Sequence, residues 1–171
     1  MAFKFVHTAD IHLDSPLKSL ALRDAGLAEL VGNASRATFS RLVDLCLAEH
    51  VQALLIAGDL YDSGQTSMKT ARFLTQEMER LAAAGIPAFI IRGNHDAASK
   101  ITRELALPDS ITVFSGKANM IETTWGGHAV AVHGISFGKP HAPETLLNRF
   151  QAPVRGAFNI GVLHSSLGRA Q

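Results

Sequence analysis

The sequence predicts an α/β protein in which helices cover a mainly parallel β-sheet. In the first half of the chain, short apolar runs typical of buried strands alternate with longer segments that carry apolar residues at helical spacing. The first three predicted strands each lead directly into a polar turn. After residue 108 the pattern changes to short strands separated by turns. With 171 residues, 47 % hydrophobic and 18 % charged, the composition is that of one folded domain with its own core.

The first half of the chain predicts three strands joined by two helices, and such connections make neighbouring strands parallel. Asn33 or Ser35 is the expected N-cap of the first helix, and Gly85 is the expected end of the second. A proline and two glycines interrupt residues 13–33, which predicts only short helical turns there. The predicted order is strand 3–8, helix 35–50, strand 51–57, helix 66–84 and strand 86–92.

The second half of the chain predicts a smaller, hairpin-containing sheet. Gly126-Gly127 has the sequence of a two-residue hairpin turn, and Trp125 beside it is expected to pack within that hairpin. His7, inside the first strand, is expected to be a hydrogen-bonded core histidine. The predicted elements are helix 98–106, strands 111–114, 119–123 and 129–135, helix 143–150 and strand 157–163.

Charge and cysteine content restrict the function only loosely. The formal net charge is +1 and there is no basic tail, so composition neither favours nor excludes nucleic acid as a partner. Cys46 is the single cysteine, which excludes a disulfide within the chain and suits a reducing compartment. The N-terminus lacks the features of a secretory signal, and no apolar run reaches the length of a membrane span. We therefore expect a cytoplasmic protein without a membrane partner.

Metal-binding residue types follow four of the predicted strands. Asp10 and His12 are two apart, so in an extended segment both side chains would project to the same side. Because parallel strands place their carboxyl ends on one edge of a sheet, we expect the polar strand ends to converge. Carboxylate, amide and imidazole donors without thiolate suit manganese, iron or zinc better than a soft metal. The residues at these strand ends are Asp10, His12, Asp59, Asn94, His95, Asp96 and His164.

Four short motifs in a fixed order resemble those of the calcineurin-like metallophosphoesterases. They are Asp10-Ile11-His12, Gly58-Asp59, Gly93-Asn94-His95-Asp96 and Gly161-Val162-Leu163-His164. The surrounding residues, His7-Thr8-Ala9-Asp10-Ile11-His12-Leu13 and Ala57-Gly58-Asp59-Leu60-Tyr61-Asp62, are similar to the DNA double-strand-break-repair exonuclease branch of SbcD and YhaO type. The resemblance extends over nearly the whole chain.

The resemblance implies a sandwich of mixed β-sheets flanked by helices and a site with two divalent metal ions. Asp10 and His12 would hold one ion, Asn94 and His164 the other, and Asp59 would bridge both. Hydroxide generated between the ions would attack a phosphodiester of DNA. His95 would stabilise or protonate the leaving oxygen, with Asp96 orienting it. Manganese is the first choice of metal, with iron, zinc and magnesium as alternatives; the implied partners are DNA and a coiled-coil ATPase subunit.

The family pattern also leads us to expect a Gly-His-X-His element after His164, which the sequence to Gln171 does not contain. On this basis residues 1–171 are expected to form the N-terminal portion of a single metallophosphoesterase (nuclease) domain, with weakened metal binding and an apolar sheet edge that favours a homodimer. Two other functions remain open. One is a phosphatase or nucleotide phosphodiesterase of the same superfamily, and the other is a non-catalytic module with a degenerate metal site that binds DNA or the ATPase partner.

Overall fold

The computed structural model describes residues 2–15, 24–61, 67–98, 106–140 and 146–165. Within these ranges, two β-sheets lie face to face and two long α-helices cover the outer face of the first sheet. Single turns of 3-10 helix occupy Asp96–Ala98 and Leu146–Arg149. The strands and helices in chain order are β1 (Phe5–Thr8), α1 (Ala25–Ala48), β2 (Ala53–Ala57), α2 (Met68–Ala83), β3 (Ala88–Ile91), β4 (Ile111–Val113), β5 (Asn119–Trp125), β6 (His128–Gly134) and β7 (Phe158–Val162).

The first sheet has the strand order β1-β2-β3-β4, and all of its pairings are parallel. In the second sheet, of order β5-β6-β7, β5 and β6 are antiparallel and β6 and β7 are parallel. The predicted α/β class and the sandwich of mixed sheets flanked by helices are therefore confirmed. The hairpin prediction is also confirmed, because Gly126 and Gly127 connect β5 to β6 with φ angles of 56° and 84°.

Every residue of β2 and β3 is buried, which explains why both strands read as continuous apolar runs. Side chains that alternate along a strand point to opposite faces. Leu54 and Ile56 belong to the core beneath the helices, together with Val43 of α1 and Leu74 of α2. The intervening residues pack against the second sheet in a separate core, which contains Leu55, Phe89, Ile91, Trp125, Val130 and Val132.

Helix α1 begins ten residues earlier than the sequence pattern predicts. Asp24 is its N-cap, and the Asp24 side chain accepts the backbone N–H of Leu27 at 2.9 Å. The prediction of Asn33 or Ser35 as the cap is wrong. Each of the glycines at positions 26 and 32 disfavours a helix by about 1 kcal/mol relative to alanine. This local cost made residues 24–34 a poor candidate for a helix. The cap at Asp24 and the continuity with the part of the helix that packs in the core from Phe39 onwards outweigh it.

Helix α2 ends at the glycine that the sequence predicts. Gly85 follows α2 with a φ of 70°, and its N–H donates to the carbonyl of Ala82 at 2.9 Å, as expected of a helix end. His7 is exposed because β1 is the outer strand of its sheet, so the prediction of a core histidine is wrong. The helix predicted over 98–106 falls almost entirely outside the described residues. Of the helix predicted over 143–150, residues 146–150 are described, and they form only the single 3-10 turn Leu146–Arg149. No helix in the described ranges is both long and apolar enough to cross a bilayer.

Candidate metal centre

The turns that follow β1, β2 and β3 meet at one rim of the first sheet. Asp10, His12 and Asp59 each offer one ligand atom there, and these atoms all lie within 4.8 Å of one another. Asp59 is only 4 % exposed, whereas Asp10 is exposed and His12 is half-buried. The Nε2 atom of His12 lies 4.0 Å from Oδ2 of Asp59. The side chains predicted from the first two strand ends are thus brought together.

The segment after β7 brings His164 close to Asp59. The Nε2 atom of His164 lies 3.4 Å from Oδ2 of Asp59 and 3.2 Å from Oδ1 of Asn94. The same carboxylate oxygen of Asp59 is therefore within 4.0 Å of two imidazole nitrogens. Asp10, His12 and His164 therefore lie near the Asp59 carboxylate, and Asn94 lies next to His164, even though β7 belongs to the second sheet.

The hydrogen bonding of His164 indicates what the rim can bind. Its Nδ1 atom lies 2.9 Å from the carbonyl oxygen of Ala57, so Nδ1 carries the hydrogen and donates it. With Nδ1 as the donor, Nε2 can present a lone pair towards a carboxylate oxygen of Asp59, which is also an acceptor. Acceptors that face each other at this distance are stabilised by a cation between them. The oxygen and nitrogen donor set therefore fits a divalent metal ion.

The loops that carry these side chains have a left-handed backbone. Asp10, His12 and Asp59 have φ angles of 53°, 46° and 52°, a conformation that costs about 1–2 kcal/mol for a residue with a Cβ. The expectation that Asp10 and His12 share a side because their segment is extended is therefore wrong. Instead, the loop is held along the neighbouring turn, where Asp10 N–H donates to Gly58 O at 3.1 Å and His12 N–H to Asp59 O at 3.0 Å.

The buried carboxylate of Asp96 holds two of the rim turns together. Its carboxylate is 1 % exposed and accepts three backbone N–H groups, from Gly93 at 2.9 Å, Leu60 at 3.1 Å and Tyr61 at 2.8 Å. Burial raises the pKa of the Asp96 carboxyl, and the three amide donors offset part of that rise. Asp96 therefore ties the turn after β2 to the turn after β3. Its predicted role in orienting the ring of His95 stays a prediction.

His95 lies at the rim without being part of the cluster around Asp59. Its backbone N–H donates to Oδ1 of Asp59 at 3.1 Å, which fixes the position of its Cα. Its ring meets the ring of His12 edge-on, with centroids 5.2 Å apart and an angle of 86° between the planes. The imidazole of His95 thus lies beside that of His12, and its role towards the leaving oxygen stays a prediction.

Two glycines make this close approach possible, a role that the sequence analysis missed. A Cβ on Gly93 would lie 2.0 Å from Oδ1 of Asp59, and a Cβ on Gly58 would lie 2.6 Å from Nδ1 of His164. The sequence marks both as turn glycines, but the neighbour that excludes a side chain comes from a distant segment. The ring of Phe137, 5.9 Å from that of His164, was also missed, and no sequence signal identifies it.

We expect Gly93→Ala to destabilise the metal-free protein by about 1–3 kcal/mol and to weaken Mn²⁺ binding, because the new methyl group displaces the Asp59 carboxylate. Gly138→Ala is the matched control, since a Cβ there has no neighbour within 4 Å. Urea unfolding and calorimetric Mn²⁺ titration of both variants measure the two effects. Equal stability and equal Mn²⁺ affinity in the two variants would contradict the close approach of Gly93 to Asp59.

The chain is similar to a known protein family and to several individual relatives. The family model described as Calcineurin-like phosphoesterase matches residues 3–153. An uncharacterized metallophosphoesterase of Bacillus subtilis, YhaO, is 28 % identical over 98 % of this chain and 41 % of its own length. The DNA double-strand break repair protein Mre11 of Sulfurisphaera tokodaii is 32 % identical over 58 % of this chain and 24 % of its own.

A third relative is a subunit of the nuclease SbcCD from Staphylococcus saprophyticus, which is 28 % identical over 57 % of this chain and 24 % of its own length. The chain thus spans less than half the length of each of these relatives. The family match covers most of the 171 residues and includes the turns that carry Asp10, His12, Asp59 and Asn94. The chain therefore belongs to the calcineurin-like phosphoesterase family.

Proposed function

We propose that the rim is the metal centre of a phosphodiesterase that cleaves DNA, as the nuclease subunit of a repair exonuclease. The observation that carries the proposal is the Asp59 carboxylate, whose Oδ2 atom lies 4.0 Å from Nε2 of His12 and 3.4 Å from Nε2 of His164. Relatives named as a DNA double-strand break repair protein and as part of a nuclease support DNA as the substrate.

The five proposed ligands form two groups, one for each of two divalent cations. Asp10 and His12 would hold one, Asn94 and His164 the other, and Asp59 would contact both through its two oxygens. When bound, divalent cations supply Lewis acidity, which neutralises phosphate charge and promotes the deprotonation of a water nucleophile. The mixed oxygen and nitrogen donors make manganese our first choice.

The chain itself supplies the positioning and the proton. Asp59 accepts the backbone N–H of His95, and the His95 ring meets the His12 ring edge-on at the rim. From there the imidazole would give a proton to the oxygen that leaves the phosphate. Asp96 fixes the turn on which His95 lies by accepting the N–H of Gly93. Ala57 holds His164 in the tautomer that leaves Nε2 available as a donor atom.

We further propose that the complete protein works with a coiled-coil ATPase subunit in the cytoplasm. A formal net charge of +1 gives this region little general attraction for the phosphate backbone of DNA. A partner with a basic surface would supply that attraction. The relative that is named as one subunit of a nuclease is consistent with such an assembly.

The test is a substrate panel with the full-length protein and Mn²⁺, run beside a sample treated with EDTA. The panel contains linear duplex DNA, single-stranded DNA, bis-p-nitrophenyl phosphate and p-nitrophenyl phosphate. We expect cleavage of DNA and of the diester, faster than of the monoester, and none with EDTA. A preference for the monoester would indicate a phosphatase, and Mn²⁺ binding without hydrolysis of any substrate would indicate a non-catalytic module.

A further inference from the structure

The loop after β1 contains a third left-handed residue that is not among the proposed ligands. Asp10, His12 and Asp14 alternate along the chain with φ angles of 53°, 46° and 52°. A segment with three such residues persists only where its surroundings hold it in place. Contacts along the turn after β2 hold the loop near Asp10 and His12. Asp14 is held by a different part of the fold.

One carboxylate, that of Asp14, connects the loop to both helices. The guanidinium of Arg36 on α1 donates to it from Nε, at 2.8 Å to Oδ1 and 3.0 Å to Oδ2, and also from Nη2. The hydroxyl of Thr70 on α2, which is fully buried, donates to Oδ2. The backbone N–H of Asp14 donates to the hydroxyl of Ser35 at 3.2 Å.

The arginine is itself fixed, so the network is a rigid support and not a flexible surface pair. The Cζ atom of Arg36 lies 5.4 Å from the centroid of the Phe73 ring, over its face. The side chains of Arg36 and Asp14 are 32 % and 16 % exposed. An exposed ion pair is usually too weakly ordered to fix a loop, but a forked arginine contact with a largely buried carboxylate has a defined geometry.

The support reaches His12 through the backbone. Ser15 N–H donates to His12 O at 3.1 Å, which closes a turn around Asp14. Leu13, between His12 and Asp14, is completely buried, and its N–H donates to Leu60 O at 2.9 Å. Only Leu13 separates Asp14 from His12, and backbone hydrogen bonds hold Leu13 and Ser15. We therefore expect a shift of the Asp14 carboxylate to move the backbone of His12.

We propose that the Asp14–Arg36–Thr70 network is a positioning device for Asp10 and His12, and that it sets the cation affinity on their side of Asp59. This inference rests on the proposed metal centre. Asp14 is not proposed as a ligand, since Arg36 and Thr70 already occupy its carboxylate oxygens. Its effect on the cation is exerted through the backbone of the loop.

The test compares Asp14→Asn and Thr70→Val with Arg80→Gln in the full-length protein. Arg80 joins the same two helices through Asp44 on α1, about 15 Å along α2 from Thr70, so its loss weakens the helix pair without touching the loop. Two quantities are measured, namely Mn²⁺ affinity by calorimetry and amide hydrogen exchange of the metal-free protein at His12, Leu13 and Ser15. We expect Asp14→Asn to weaken Mn²⁺ binding about tenfold and to speed exchange at these three amides, with Arg80→Gln doing neither.

Exchange at Leu54, a completely buried residue of β2 whose N–H donates to Pro87 O, reports global stability and separates positioning from a merely structural role. If the loop amides of Asp14→Asn speed up only as much as Leu54, the proposal is overturned. It is also overturned if Mn²⁺ affinity is unchanged. Should Asp14→Asn fail to fold, Thr70→Val carries the same comparison. A parent protein that binds no Mn²⁺ would refute the metal centre, while loop exchange would still decide whether Asp14 holds the loop.

Discussion

Replacement of Asp59 by asparagine is expected to lower Mn²⁺ affinity by at least about a hundredfold and to abolish DNA cleavage, while the metal-free protein stays folded. Asp59 Oδ2 lies 3.4 Å from His164 Nε2 and 4.0 Å from His12 Nε2, so both halves of the centre depend on this one charge. Asparagine keeps an oxygen that can accept the His95 N–H and keeps the volume of the buried side chain. The variant therefore removes the charge and little else.

Thermal unfolding with and without Mn²⁺ measures this effect. A ligand at a hundred times its Kd stabilises the native state by about 2.7 kcal/mol, so the parent should melt higher with Mn²⁺ and Asp59→Asn should not. Asp44→Asn is the control, because Asp44 is an exposed carboxylate of α1 that pairs with Arg80. It should keep the full shift. Mn²⁺-induced stabilisation that survives in Asp59→Asn would show that the cation binds elsewhere.

The part of the fold that the sequence could predict is the part whose signals are local. β2 and β3 are short, completely buried runs, and α2 has its apolar residues on one face, so their periods identify them. Parallel strands share an edge for their carboxyl ends, which is why polar residues after β1, β2 and β3 could be grouped in advance. The grouping around Asp59 needed no knowledge of side-chain contacts.

The features that escaped prediction depend on contacts between distant segments. Arg36 and Thr70 lie 22 and 56 residues from Asp14, and neither has a local signal that marks it as its partner. The close approach of Gly93 to Asp59 likewise depends on two different turns. The left-handed φ angles of Asp10 and His12 follow from the hydrogen bonds to the β2 turn and not from the residue types. Tertiary contacts can outweigh local preferences in this way.

His95→Asn is expected to reduce the rate of DNA cleavage by about 10²–10⁴-fold with Mn²⁺ affinity unchanged. Asparagine at this position keeps the backbone N–H that contacts Asp59, so the donor cluster stays intact when the imidazole is lost. His50→Asn is the matched control. His50 is an exposed histidine with a φ of 47°, a conformation that asparagine tolerates, and it should retain full activity.

The leaving group distinguishes proton donation by His95 from a general effect on the site. The alkoxide that leaves DNA is strongly basic and needs a proton, whereas p-nitrophenolate is a weak base that departs without one. If His95 protonates the leaving oxygen, His95→Asn should lose much more activity on DNA than on bis-p-nitrophenyl phosphate. Equal losses on both substrates would assign His95 to binding or orienting the phosphate instead, because that contribution does not depend on the basicity of the departing oxygen.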